Sequence, residues 1–313
     1  PSVHVVDRGA EIVKREGIEL LVGVGGGSNM DAAKSMAVGA ALGRPIGVCR
    51  GWIDEFQAQP IPVIAIPTTA GTAAEMTPFA VITDPQAPCK FWVGSALMAP
   101  KVALLDPEML TTAPRSVRIA AGMDALTHAV ESFISKGANP YTEMCGLRAI
   151  ELIAANLRAA TETPPRIDAL AQMQIAASMA GMAFANAELG IVHATAHPVG
   201  AIFHVPHGIA NAILLPHGMA YNRPACEDKL AKVATALGTE VTGMSCEEAS
   251  RAAIEAVRTL ARDVGAPTRL REVGVQEEAF ALMAAEAIQN SHIRINPQPV
   301  TEQDLIHLYE TAL

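Results

Sequence analysis

The chain has 313 residues, of which half are apolar and 18% charged, with a formal net charge of −9. That length suits two domains with ample core, and the acidic balance excludes the basic stripe of a nucleic-acid surface. No apolar run reaches the ~18 residues of a membrane span, and Pro1-Ser2-Val3-His4 is not the basic-then-apolar start of a secretory signal. Five widely spaced cysteines, Cys49, Cys89, Cys145, Cys226 and Cys246, form no CxxC and, being odd in number, suggest no disulfide framework. The expectation is a cytoplasmic enzyme with reduced thiols and no membrane or nucleic-acid partner.

Over residues 1–113, short β-rich runs alternate with amphipathic stretches. The predicted strands are 20–24, 45–48, 63–66, 79–83, 91–93 and 102–105, punctuated by glycines and by Pro45, Pro62 and Pro67. Apolar strands alternating with helices predict an α/β domain with a doubly wound, mostly parallel sheet. Over 114–313 the strand signals stop. Apolar residues recur at three- and four-residue spacing and predict helices over 114–136, 141–161, 168–187, 227–236, 247–264 and 277–289. This half reads as all-α. No tether-like linker separates the two, and the apolar helix faces point to a homo-oligomer.

The first strand runs into Gly25-Gly26-Gly27-Ser28-Asn29-Met30-Asp31. Glycines let the backbone approach a phosphate, and the start of the following helix offers N–H groups to an anion. Ser28 is expected to cap that helix, with Asp31 three residues on. The spacing is not G-x-G-x-x-G, because Ser28 stands at the third glycine's place, and no Gly-Lys-Ser/Thr follows. An ordinary tight turn therefore remains the alternative. Pro67-Thr68-Thr69-Ala70-Gly71-Thr72 clusters hydroxyls after strand 63–66, at the strand end where dinucleotides lie in such sheets. Its alternative is a turn whose threonines satisfy their own backbone.

In the helical half, Asp124 and His128 are spaced i, i+4 and leave one helix face together. Five of nine histidines, His193, His197, His204, His207 and His217, follow within a short apolar region. Carboxylate and imidazole ligands suit a divalent transition metal. A lone histidine in an apolar helix is more commonly a hydrogen-bonded core residue, and that reading is kept for His204 and His217. The motif is not HExxH, so metalloprotease logic does not carry over.

Together these residues resemble the iron-containing (group III) alcohol dehydrogenase family. The matching stretches are Gly25-Gly26-Gly27-Ser28 with Asp31 and Lys34, Pro67 to Thr72 with Glu75, Asp106-Pro107, and Gly122 to Ala129. His193 with Ala196-His197-Pro198, Pro206-His207-Gly208 with Asn211, and Asn296-Pro297 complete the set. The resemblance implies a dinucleotide-binding domain over 1–113 and a metal and substrate domain over 114–313. It implies Asp124, His128, His193 and His207 as ligands of Fe2+, a set that would also hold Zn2+. It implies a nicotinamide cofactor, NAD with NADP as the alternative, bound by Gly25, Gly26, Gly27, Ser28, Asp31, Thr68, Thr69, Thr72, Lys90 and Leu110. His197 would lie beside the substrate, either relaying protons or only contacting the cofactor.

The implied activity is the interconversion of a small alcohol and its aldehyde or ketone. The alternatives are same-fold relatives with other chemistry, such as maleylacetate reductase, glycerol dehydrogenase or dehydroquinate-synthase-like enzymes, and a catalytically silent subunit. Two departures stand out. Members read Gly-Thr-Gly-Ser-Glu where this chain has Gly71-Thr72-Ala73-Ala74-Glu75, which is expected to remove a hydroxyl from the cofactor side and stiffen a turn. Members also carry roughly 70 further residues before the point matching Pro1, including the first strands of the dinucleotide domain.

Overall fold

The computed structural model describes residues 1–85 and 89–313. The chain divides into two compact units, Pro1–Thr112 and Ala113–Leu313.

The first unit runs α1 (Val3–Arg15), β1 (Leu21–Gly25), α2 (Gly27–Leu42), β2 (Gly51–Trp52), β3 (Val63–Pro67), β4 (Phe79–Asp84), β5 (Cys89–Gly94) and β6 (Val102–Ala103). Ser2 caps α1 by accepting from the Val5 N–H, and Val6, Ala10 and Val13 form its buried stripe. Helix α2 stops at Gly43, whose φ of 68° is the left-handed conformation that glycine tolerates best. Among the described residues, the strands form two three-stranded sheets. In one, β1-β3-β6, all pairs are parallel, with Leu21 opposite Val63 and Ile64 opposite Val102. In the other, β2-β5-β4, the β2–β5 pair is parallel and the β4–β5 pair antiparallel. Val6, Val38, Leu42, Ile46, Ile82 and Val93 knit α1, α2 and the mixed sheet into one core. Ala33 and Ala37 of α2 pack on Val63 of β3.

The expected strand at 45–48 is not one. Pro45 lies at φ −58° and leads into a 3-10 turn, Ile46–Val48, closed by the Cys49 N–H to the Ile46 carbonyl. A fully buried Ile46 with a proline before it satisfies its neighbours locally, and pairing begins only at Gly51.

The second unit is helical among the described residues: α3 (Arg115–Ile134), α4 (Pro140–Ala160), α5 (Ile167–Ala187), α6 (Ile191–Phe203), α7 (His207–Asn222), α8 (Glu227–Ala236), α9 (Cys246–Val264), α10 (Phe280–Ala287) and α11 (Glu302–Ala312). Capping boxes start three of them, from Asn139 and Thr142, Ser245 and Glu248, and Thr301 and Asp304. Helix α3 is buried without interruption from Gly122 to Ile134, so it forms the axis of the unit. The sequence patterns did not predict α6 and α7, which carry Pro198 and Pro216 in their interiors. Both helices are held by tertiary contacts instead. A methyl group on Gly208 would collide with the Ala120 carbonyl, so α7 lies backbone-to-backbone on α3. The buried Tyr309 hydroxyl of α11 donates to the Thr195 carbonyl of α6 at 2.8 Å. The helix expected over 277–289 begins as a 3-10 turn, Glu277–Ala279, and is α-helical only over Phe280–Ala287.

Cys49, Cys145, Cys226 and Cys246 are free thiols, and the Cys89 side chain lies outside the described residues. Among the described residues, no single helix is long and apolar enough to cross a membrane.

Candidate metal centre and glycine loop

Asp124, His128 and Glu131 occupy one face of α3 at i, i+4 and i+7, and all three are buried. Helix α6 brings His193, and α7 brings His207 and, one turn on, Asn211. One carboxylate oxygen of Asp124 stands 3.9 Å from His193 Nε2 and 3.5 Å from His207 Nε2. The other lies 4.0 Å from His128 Nδ1. The His128 ring stacks on Phe184 and on His193, with centroids 4.3 and 4.7 Å apart. Asp124, His128 and His193 each present a ligand atom within 4.8 Å of the others. His207 is more open, with 41% of its side chain exposed.

The amide nitrogen of Asn211 stands at the focus of these groups. It lies 2.7 Å from Asp124 Oδ1, 3.1 Å from His193 Nε2 and 3.1 Å from His207 Nε2. Two amide hydrogens thus face three acceptors, while Asn211 Oδ1 is buried with no hydrogen-bond partner. Asp124, His193 and His207 converging on one point, with His128 beside them, fit a divalent transition-metal cation.

Glu131 completes the arrangement, and the sequence reading missed it. One of its oxygens accepts from the Val192 N–H at 2.7 Å. The other accepts from the His193 N–H at 3.1 Å and meets His193 Nδ1 at 2.5 Å. The carboxylate therefore caps α6 and fixes the His193 ring, leaving Nε2 toward Asp124. Burial pushes the Glu131 carboxyl up to about 8, against the backbone N–H groups of Val192, His193 and Gly190, which pull it down. Burial also holds His193 well below the ordinary imidazole range, helped by His128, His207, His197 and His292. A neutral imidazole is what ligation requires. The remaining N–H at the start of α6, on Ile191, is met by Asn296 Oδ1 at 3.1 Å. Any side chain at Gly190 would strike Asn296 Oδ1 and Glu131 Oε1, at 2.8 and 3.0 Å.

The other expected histidines separate from this cluster. His197, one turn beyond His193, is exposed, with its ring 5.5 Å from His207 and its Nδ1 3.0 Å from the Asn290 amide. His204 is no core residue: it is exposed and ends α6 in the left-handed conformation at φ 55°. His217 meets Thr311 Oγ1 at 3.2 Å. His292, which the sequence reading passed over, stands with its ring 6.5 Å from His193 and 6.4 Å from His197.

In the first unit, the parallel register places Gly25 opposite Pro67, so the loops after β1 and β3 lie side by side. The Thr68 N–H donates to the Gly25 carbonyl at 2.9 Å. A Cβ on Gly26 would sit 3.6 Å from Thr69 Oγ1, and one on Gly27 only 2.8 Å from Thr72 Oγ1. Gly25 has φ 145° and packs on Asn29, whose amide donates to the Val24 carbonyl. Ser28 is not the cap. Gly26 holds that position with no side-chain bond, and Ser28 lies within the first turn. Asp31 turns elsewhere, accepting from the Val81 N–H at 3.0 Å and pairing with Lys34 at 3.0 Å. Lys90 is exposed on β5 opposite Thr83, and the buried Leu110 ends a 3-10 turn, Pro107–Leu110.

Lys34 is fully buried. Its ammonium meets the carbonyls of Ala74, Thr77 and Phe79 and the Thr77 hydroxyl, at 2.5 to 3.3 Å. Burial lowers its pKa, while Asp31 and Glu75 oppose the shift. This lysine pins the segment after the threonine loop to α2. At the departure from the family pattern, Ala73 takes φ 52°, a left-handed conformation in which members carry glycine. Ala74 packs inward on Met30 and Ala65, so the hydroxyl it lacks would stand in the core and not on the cofactor side.

Residues 118–313 match the C-terminal part of the Fe-containing alcohol dehydrogenase family, and residues 1–107 match the iron-containing alcohol dehydrogenase family. The chain is 41% identical to lactaldehyde reductase of Escherichia coli (strain K12) over 316 residues, covering all of this chain and 81% of that protein. It is 38% identical to NAD-dependent methanol dehydrogenase of Bacillus methanolicus over 313 residues, covering all of this chain and 82% of the relative. Among solved structures, 1,3-propanediol oxidoreductase superposes with a TM-score of 0.96 at 39% identity, over all of this chain and 82% of that one. The chain belongs to the iron-containing alcohol dehydrogenase family.

Proposed function

We propose that the chain is a metal-containing, nicotinamide-dependent alcohol dehydrogenase that interconverts a small alcohol and its aldehyde or ketone. The observation that carries this reading is the convergence of Asp124, His193 and His207 on one point beside His128. These four residues are assigned as the ligands of one divalent cation, Fe2+ by family and Zn2+ by equal fitness of the donors. Lewis acidity toward the substrate oxygen and a hydride acceptor at nicotinamide C4 are what such a cation and cofactor supply when bound.

The chain's own residues do the rest. Glu131 orients His193 and keeps its Nε2 lone pair toward Asp124. Asn211 marks the point on which the ligands close and would turn aside on binding. The catalytic residue is assigned as His197, exposed beside His207. In the first unit, Gly25, Gly26, Gly27 and Ser28 with Thr68, Thr69 and Thr72 are assigned to the cofactor pyrophosphate. The support is the close approach of the two loops and the helix N-terminus that Gly26 opens. Asp31, Lys90 and Leu110 are assigned contacts on resemblance alone. NAD is the assigned cofactor, because the methanol dehydrogenase relative is NAD-dependent by name. The first unit is thus the dinucleotide-binding domain and the second the metal and substrate domain. A cytoplasmic homo-oligomer belongs to the same reading, supported by the free thiols and by exposed Val22, Val24, Val102 and Leu104.

The test is turnover by the full chain, prepared anaerobically and reloaded with Fe2+ or Zn2+, using 1,2-propanediol or 1,3-propanediol. The expected result is metal-dependent NADH formation that a chelator abolishes. Absence of NAD+ binding and of turnover with either metal would contradict it.

A further inference from the structure

We infer that Asn290 is a positioning residue that fixes the His197 ring with Nδ1 as an acceptor and its proton on Nε2, so that the ring presents an N–H donor. This rests on the assignment of His197 as the catalytic residue. Asn290 opens the 3-10 turn Ser291–Ile295, and its Oδ1 accepts from the His292 N–H at 3.0 Å. An amide nitrogen cannot take that place, because it has only hydrogens to offer. The amide orientation is therefore set, and Nδ2 is the end that meets His197 Nδ1 at 3.0 Å.

An NH2 group facing a ring nitrogen requires a lone pair there. Nδ1 is thus an acceptor, and the neutral ring carries its proton on Nε2. The turn is anchored as well. The Lys136 N–H donates to the Ile295 carbonyl at 3.0 Å, and buried Asn296 exchanges two side-chain hydrogen bonds with Asn222 at 2.6 and 2.9 Å. Asn296 Oδ1 also accepts from the Ile191 N–H at 3.1 Å, which ties the turn to the helix that carries His197. The ring stands 5.5 Å from His207 and 6.4 Å from His193, where an Nε2–H donor serves to orient an oxygen or a carboxamide near the metal ligands.

The first test reads the ring directly, by 15N spectra of histidine-labelled full chain, metal-free and loaded with diamagnetic Zn2+. His197 is assigned by its loss in His197→Gln. We expect an unprotonated Nδ1 and a protonated Nε2 at neutral pH. Asn290→Asp keeps the acceptor for His292 but presents a second acceptor to Nδ1, so it should move the proton to Nδ1. A wild-type ring protonated at Nδ1, or an Asn290→Asp ring unchanged, overturns the inference.

The second test is turnover. Gln donates an N–H but cannot relay a proton. His197→Gln should therefore lower kcat by less than about 10-fold, against the ~100-fold or greater loss expected when a general acid–base is removed. Equal and severe losses in His197→Gln and His197→Ala would overturn the donor role. If the chain shows no dehydrogenase activity, the spectra still decide the tautomer, so the two readings fail separately.

Discussion

At the scale of single residues, the centre is organised by a carboxylate that sequence spacing did not single out. Asp124 and His128 are visible as an i, i+4 pair because both lie within one predicted helix. Glu131 lies on the same face three residues later. Its role depends on the first turn of α6, which carries no local start signal: Gly190 is the cap and offers no side chain. The function of Glu131 is therefore legible only once α3 and α6 are together.

Burial pushes the Glu131 carboxyl up to about 8, so the buried Glu131–His193 pair is expected to carry an extra proton at neutral pH when no metal is bound. A cation at His193 Nε2 favours the ionised carboxylate, so metal uptake at pH 7 should release that proton, and affinity should rise as pH climbs toward 8. Glu131→Gln should remove this proton release and weaken metal binding by about 10- to 100-fold. Calorimetric titrations in buffers of different ionisation enthalpy measure both quantities. Unchanged affinity and proton count in the variant would show that Glu131 does not support the ligand.

At the scale of elements, α7 reaches the cluster because it lies against the backbone of α3. Gly208 permits that approach, since a Cβ would meet the Ala120 carbonyl, a group that cannot swing away like a side chain. His207 is its immediate neighbour in sequence. Gly208→Ala should therefore push α7 outward, costing about 3 kcal/mol and lowering Tm by roughly 10 °C. It should weaken metal binding in parallel, through displacement of His207. Thermal unfolding followed by circular dichroism, with and without added Zn2+, checks this. An unchanged Tm would mean that the helices have room to spare.

The same contact explains why α6 and α7 escaped the sequence patterns. Their apolar faces are nearly continuous, each contains a proline, and their positions are set by partners far along the chain, Asn296 and Tyr309 among them. Helices with local caps, such as α4 and α9, were easier to locate, whereas α11, capped from Thr301 but short, was not predicted by the spacing. In the first unit, apolar runs located β1, β3 and β4, whereas Pro45 and a three-residue run gave a false strand where a 3-10 turn forms.

At the scale of the whole molecule, the two units hold different halves of the proposed chemistry. The first contributes paired glycine and threonine loops at the ends of adjacent parallel strands. The second contributes every proposed metal ligand, from three helices. The alternation of strand and helix signals, and their abrupt end near Ala113, made that division visible in sequence. What sequence did not convey was the separation of the strands into two sheets, because pairing partners depend on long-range register. Nor did it show that Ala74 faces the core.

The central claim is the metal centre. Its most direct test is the metal content of the full chain after equilibration with Fe2+ or Zn2+ under anaerobic conditions and removal of free ion, compared with Asp124→Ala. One ion bound per chain, lost in Asp124→Ala while the helical circular dichroism is retained, is the predicted result. No stoichiometric metal in the wild-type chain, or equal metal in the variant, would contradict it.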